Sequence, residues 1–179
     1  MSYYHNTKQA LLSAFDLRGV KCKGMQFNYD QDYPTVNRFT TEPSTFDERL
    51  AQDAMVRRSI REAMTEEEYL TLMFCYTQDG NQLKESYSKA VYPVAVKSSR
   101  LAQRLKPGLL LSWLFHAFSQ TKRNNTAPDL TEILGVNRST IYRSLKKPLR
   151  EALRLEELED RVSQILHDKG WYIGTEVTT

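Results

Sequence analysis

The stretch PGLLLSWLFHAF, Pro107 to Phe118, constrains the fold more than any other part of the chain. Its apolar residues point to nearly every side of the helix it predicts, and such a helix must be covered by its neighbours. It falls well short of the roughly 20 residues needed to cross a bilayer. Ser112 and His116 also interrupt it, so the cover must come from the chain itself. The expectation is a mainly α protein, a helical bundle with this segment as the central strut of its carboxy-terminal core. A chain of 179 residues can supply that cover. Its 40% hydrophobic and 26% charged content is that of a globular protein, neither disordered nor fibrous.

Apolar residues at helical spacing predict further helices on both sides. NTKQALLSAFDL, Asn6 to Leu17, reads as a short helix capped by Asn6 or Thr7 and closed at Gly19. Residues 19–43 hold glycines, prolines and aromatics without a sustained period, an irregular aromatic-rich segment with room for a short strand pair. Ser44 with Asp47 and Thr45 with Glu48 are capping pairs for an amphipathic helix reaching about Ala63, and Thr65 with Glu68 repeats the signature ahead of YLTLMFCYTQ. That helix should end at Asp79-Gly80. The next, NQLKESYSKAV, should stop before Pro93, another should run from Val94 to Arg104, and Lys106-Pro107-Gly108 should form a break. A division follows into residues 1–93, a helical and irregular scaffold, and residues 94–179, a second unit closed by a carboxy-terminal helix. In that last helix Leu155, Leu158, Val162 and Ile165 make about two heptads of coiled-coil seam. The seam either packs on the chain's own core or holds a homodimer together.

Charge is unevenly spread. The net charge is only +3, yet residues 97–150 contain eleven basic residues against Asp129 and Glu132, a surplus of nine. Other chemistries find little support. Cys22 and Cys75 have no C-x-x-C or Cys/His spacing, and His5, His116 and His167 are isolated, so neither a metal nor a disulfide framework is expected. Glu66, Glu67 and Glu68 at a helix start suit the helix dipole better than acid/base catalysis. No nucleophile elbow or phosphate-cradling glycine loop occurs, and the expectation is a protein that is not an enzyme and carries no cofactor. MSYYHNTKQALL lacks the pattern of a signal peptide, and a cytoplasmic protein with no membrane partner is expected.

The surplus of positive charge coincides with DLTEILGVNRSTIYRSLKK, Asp129 to Lys147. A first helix from about Ala127 to Leu134 would have Leu130, Ile133 and Leu134 as its apolar face, and Gly135 would supply the positive φ of a sharp turn. Val136 would fill the space between helices, Ser139 would cap a second helix from about Arg138 to Lys147, and Ile141 and Leu145 would face the core. Asn137, Arg138, Thr140, Tyr142, Arg143, Lys146 and Lys147 then remain on the outer face, with Pro148 ending the helix. A helix fits the major groove of DNA, where Arg can pair with guanine and Asn with adenine. Lys122, Arg123, Lys146, Lys147 and Arg150 are candidates for contacts with phosphates.

These residues resemble the helix-turn-helix of bacterial and phage DNA-binding regulators, whose common form is a Leu-Gly-Val turn followed by Ser-Thr-Ile/Val-Tyr-Arg. The resemblance covers about 20 residues. It implies a carboxy-terminal helix-turn-helix whose recognition helix starts near Arg138 and carries Arg138, Ser139, Thr140, Tyr142 and Arg143. Thr131 departs from the Ala usual at the helix crossing. The implied function is sequence-specific binding of double-stranded DNA in transcription regulation by a phage or mobile-element protein acting as repressor, activator or antiterminator. Upstream, residues 64–91 resemble part of sigma-factor-like and phage antiterminator proteins, but the helix after QDGNQ is not basic and lacks the Leu-Gly turn, so they read as scaffold. Two other functions stay open: an adaptor whose helix-turn-helix docks on RNA polymerase or a replication protein, and a nucleic-acid enzyme with unrecognised catalytic residues.

Overall fold

The structure, a computed structural model, describes residues 4–15, 46–120 and 128–171. The aromatic-rich segment, the caps expected at Ser44 and Thr45, Cys22, Lys122 and Arg123 lie outside the described residues. Apart from a single bridge, in which the Tyr4 amide donates to the Trp171 carbonyl at 2.9 Å, the regular structure among the described residues is helical.

The first helix, α1 (Thr7–Phe15), starts where Asn6 Oδ1 accepts the Gln9 amide at 2.8 Å. It packs on α2 (Phe46–Ala63), and Asp53 of α2 accepts the hydroxyls of both Tyr4 and Ser13. Helix α3 (Glu66–Tyr76) opens on the expected capping box, with Thr65 Oγ1 accepting the Glu68 amide and Glu68 Oε2 accepting the Thr65 amide.

It is α3, not the apolar 107–118 segment, that occupies the centre. Leu72, Phe74, Cys75 and Tyr76 are at most 1% exposed, and α3 touches α1, α2, the helices on its carboxy-terminal side and the last helix of the chain. Leu72 and Phe74 each contribute about 1.5–3 kcal/mol by leaving water. Helix α7 (Pro107–Phe118) presents Leu110, Leu114, Phe115 and Phe118 to the core, where Phe115 meets Phe74 edge-on at 5.9 Å. Its other flank, with Leu109, Leu111, Trp113 and Ala117, is only half-buried. An apolar circumference states that a helix needs cover; it does not state that the helix is in the middle.

After α3, Thr77 ends one helix and Asp79 Oδ1 accepts the Asn81 and Gln82 amides to begin α4 (Gly80–Ser86). Helix α4 continues through a wide turn, Tyr87–Val91, into α5 (Tyr92–Ser98). Pro93 therefore does not stop the helix, and the boundary expected at residue 93 falls inside a continuous helical run. The chain breaks instead at Ser99, which is extended, before α6 (Arg100–Arg104), and at Leu105-Lys106 before α7, with Pro107 in the first turn.

Past residue 128 come α8 (Leu130–Leu134), α9 (Arg138–Ile141), a second wide turn at Tyr142–Lys146, α10 (Lys147–Leu153) and α11 (Leu155–Asp168). Pro148, like Pro93, lies inside its helix. A proline lacks the amide hydrogen and crowds the carbonyl four residues back, which ordinarily breaks an α-helix. Here the preceding turn opens: Tyr92 donates to the Tyr87 carbonyl and Lys147 to the Tyr142 carbonyl, each five residues back. The opening also keeps the apolar residues in line. A ladder stepping strictly by four drifts about 40° per step around an α-helix. The wide turn takes up that drift, so Leu83, Tyr87, Val91 and Ala95, like Ile141, Leu145, Leu149 and Leu153, all stay at or below 8% exposed.

The two proline-containing runs meet, α5 packing on α10 and α6 on the second wide turn. Helix α11 returns to α1, α2 and α3. Leu155, Leu158, Val162 and Leu166 are buried there, while Ile165, expected in the seam, is only partly buried and gives its place to Leu166; Tyr76 donates to Glu159 Oε1 at 2.8 Å, and Arg161 bonds Glu68 at 2.6 Å and the Ala63 carbonyl at 3.0 Å. The seam expected to serve either the core or a dimer is taken up by the chain's own core.

Candidate nucleic-acid interface

Helix α8 is shorter than expected, and its cap is Asp129, which accepts the Thr131 amide at 2.9 Å and the Thr131 hydroxyl at 2.5 Å. These bonds, with a smaller contribution from the more distant Arg138 guanidinium, hold the Asp129 carboxyl below the usual range. Leu130 is buried and Leu134 packs against the core, whereas Ile133, expected on the apolar face, is 52% exposed. Five helical residues offer the core a single turn, and Leu130 and Leu134 fill it. Gly135 then takes φ 64° and ψ 29°. A Cβ there would meet nothing within 4 Å, so the need for glycine is purely conformational. Val136 packs against the core just beyond.

The cap of α9 is Asn137, not Ser139. Its Oδ1 accepts three donors at 2.8 Å each, the Thr140 amide, the Thr140 hydroxyl and the Ser139 hydroxyl. Asn137 is the extended residue before the helix, the place from which a side-chain oxygen reaches free amides, while Ser139 is already inside. The candidate base-contacting residues thus fall into two sets. Asn137, Ser139 and Thr140 are joined in the cap, and the carboxamide oxygen an adenine contact would use is already engaged. Arg138, Tyr142 and Arg143 project outward, Tyr142 with 54% of its surface exposed, on the run whose opposite side buries Ile141, Leu145 and Leu149. Neither arginine pairs with a carboxylate among the described residues.

Of the candidate phosphate contacts, Lys147 is exposed with its ammonium 3.9 Å from Glu151, Lys146 is half-buried and Arg150 is ion-paired with Glu156. A groove of about 480 Å³ runs beside them, lined by Tyr142, Lys146, Lys147, Arg150, Arg154 and Glu156 among others. Arg154 closes it at the α10–α11 corner with φ 49°, a left-handed conformation that costs a residue with a Cβ about 1–2 kcal/mol, and pairs with Glu157.

One residue missing from the sequence-based site holds this surface to the scaffold. Pro148 has no amide hydrogen for the Ser144 carbonyl, and the Ser99 hydroxyl donates to that carbonyl at 2.5 Å while accepting the Ala102 amide at the start of α6. A proline within a helical ladder signals a carbonyl in need of another donor, but sequence does not say where the donor comes from.

Among the described residues no group of His, Cys, Asp and Glu could hold a metal ion, and no helix is long and apolar enough to cross a membrane. Comparison with protein-family models, with curated proteins and with solved structures finds no match to this chain.

Proposed function

We propose that the chain is a sequence-specific duplex-DNA-binding regulator of transcription, acting as repressor, activator or antiterminator, in which α8, the Gly135 turn and α9 serve as a helix-turn-helix. The observation that carries this reading is the outward set Arg138, Tyr142 and Arg143, whose two arginines form no ion pair among the described residues, on a helix whose other side is anchored in the core. Lying in a major groove, such a helix presents two guanidinium groups to guanine edges and a phenol to bases or phosphates. Lys147 sits further along to meet the backbone, and Arg150 reaches a phosphate by exchanging Glu156 for it. Asn137, Ser139 and Thr140 act as positioning residues that set where the helix begins. Because the α11 seam is buried, pairing of two copies on DNA would use another surface.

The exposed Ile133 beside this face favours a second reading, an adaptor whose α8–α9 surface docks on RNA polymerase or a replication protein. Selection of bound sites from random DNA separates the two. Under the DNA reading a consensus emerges, and Arg138→Ala and Arg143→Ala each weaken binding to it by about 1–3 kcal/mol while changing random-duplex binding little. Equal losses on both duplexes would rule out base reading, and no duplex binding at all would leave the adaptor.

A further inference from the structure

Residues 97–128 contain no Asp or Glu. Four of the cations there, Lys97, Arg100, Arg104 and Lys106, are exposed, and none forms an ion pair among the described residues. Other cations have carboxylate partners, as in Arg58 with Glu62, Lys89 with Glu85, Arg154 with Glu157 and Arg161 with Glu68, while Arg138 and Arg143 share the unpaired state of these four. Within α6, Arg100 and Arg104 are one turn apart and share a face, with Ala102 buried on the opposite side. Lys97 and Lys106 flank this pair in the chain, so four unneutralised, exposed cations lie within ten residues, a surface suited to an anionic partner.

The position of this surface is fixed by Ser99, whose hydroxyl bonds the Ser144 carbonyl. Arg100 follows Ser99 and Arg143 precedes Ser144, so with consecutive Cα atoms about 3.8 Å apart the Cα atoms of Arg100 and Arg143 lie within about 15 Å of each other. That reach is comparable with the major groove, about 12 Å wide. A protein with Arg143 inside the groove therefore keeps the Cα of Arg100 within about 15 Å of it.

We propose that Lys97, Arg100, Arg104 and Lys106 form a second DNA contact, a backbone-gripping ridge beside the α8–α9 unit. The proposal rests on the reading of α9 as a duplex-binding helix. The ridge supplies affinity without sequence information, and it extends the interface beyond what a single short recognition helix gives.

The test replaces all four residues, as Lys97→Gln, Arg100→Gln, Arg104→Gln and Lys106→Gln in one full-length chain. It measures binding to a random-sequence duplex of about three helical turns across a salt series. Because all four are exposed and Lys106 makes no side-chain cap bond, the variant should keep the wild-type circular dichroism and unfolding midpoint. Arg104→Glu alone provides a second, less altered protein. The slope of log K against log salt should fall in magnitude by about 0.9 for each phosphate that is no longer neutralised, so by about 3 to 4 for the fourfold variant. Arg104→Glu should lose affinity in the same direction, and preference for a selected site over random duplex should be unchanged. An unchanged slope in a variant chain whose parent binds DNA overturns the ridge and leaves the base-reading proposal standing. A parent that binds no duplex removes both.

Discussion

Replacing Ser99 by Ala probes the joint between the scaffold and the candidate DNA surface, because its one hydroxyl serves two backbone groups. It accepts the Ala102 amide at 3.3 Å, a cap whose loss typically costs about 1 kcal/mol. It also donates to the Ser144 carbonyl in a partly buried bond, and a carbonyl shielded from water and left without a partner costs about 1–3 kcal/mol. Ser99→Ala should therefore destabilise the chain by about 2–4 kcal/mol in all. The reason the carbonyl depends on Ser99 is Pro148, four residues on, which has no hydrogen to give it. Pro148→Ala restores that amide, and in the Pro148→Ala background Ser99→Ala should cost only the cap, about 1 kcal/mol.

Urea unfolding of the four proteins, followed by far-UV circular dichroism, measures the coupling. The expected interaction energy is about 1–3 kcal/mol, outside the roughly 0.3–0.5 kcal/mol scatter of independent sites. The urea dependence should be the same in all four, since no large surface changes hands. Equal costs of Ser99→Ala in both backgrounds would refute the idea that Ser99 replaces the donor Pro148 lacks. Ser99→Thr, which keeps the hydroxyl, should recover part of the loss.

Two other outcomes follow from the cap and the charge geometry. Asn137→Ser retains a capping oxygen, so it should change stability by only a few tenths of a kcal/mol and leave the selected DNA consensus intact, whereas Asn137→Ala should cost about 1 kcal/mol; a consensus that shifts with Asn137→Ser would make Asn137 a base contact. Glu68 has its carboxyl held below the ordinary value, first by the Thr65 amide and then, more weakly, by the Thr65 hydroxyl and Arg161. Its contribution is therefore complete above the unfolded carboxylate range near pH 4.3 and is lost as pH falls through the lower folded value. Glu68→Gln keeps a capping-box side chain without the titration, so its stability should decline less than that of the parent between about pH 6 and pH 3. Parallel pH profiles would show that this carboxylate does not contribute.

Local features of the chain are legible in its sequence and long-range ones are not, for physical reasons visible at particular residues. The Thr65 and Glu68 capping box and the Gly135 turn depend on groups within four residues, and their residue types permit few alternatives. Asn137 and Ser139 are both good caps two positions apart, so composition does not choose between them. The choice follows from which residue is extended. Leu155, Leu158 and Val162 identify a face of α11, but a face is equally satisfied by a second copy or by α1, α2 and α3. The apolar circumference of α7 likewise expresses its need for cover and not its place beside α3.

The prolines carry a signal that depends on its surroundings. Pro93 and Pro148 argue for helix ends only if the preceding turn is α-helical. Each lies in a ladder of apolar residues stepping by four, Leu83 to Ala95 and Ile141 to Leu153, too regular for an α-helix to keep on one face. Ladder and proline together specify a wide turn, and a wide turn leaves carbonyls that need outside donors. At Ser144 that donor is Ser99, so the scaffold holds the candidate recognition helix by a backbone atom. Arg138, Tyr142 and Arg143 are left out of that bond, and their substitution can alter what the surface binds while its frame stays in place.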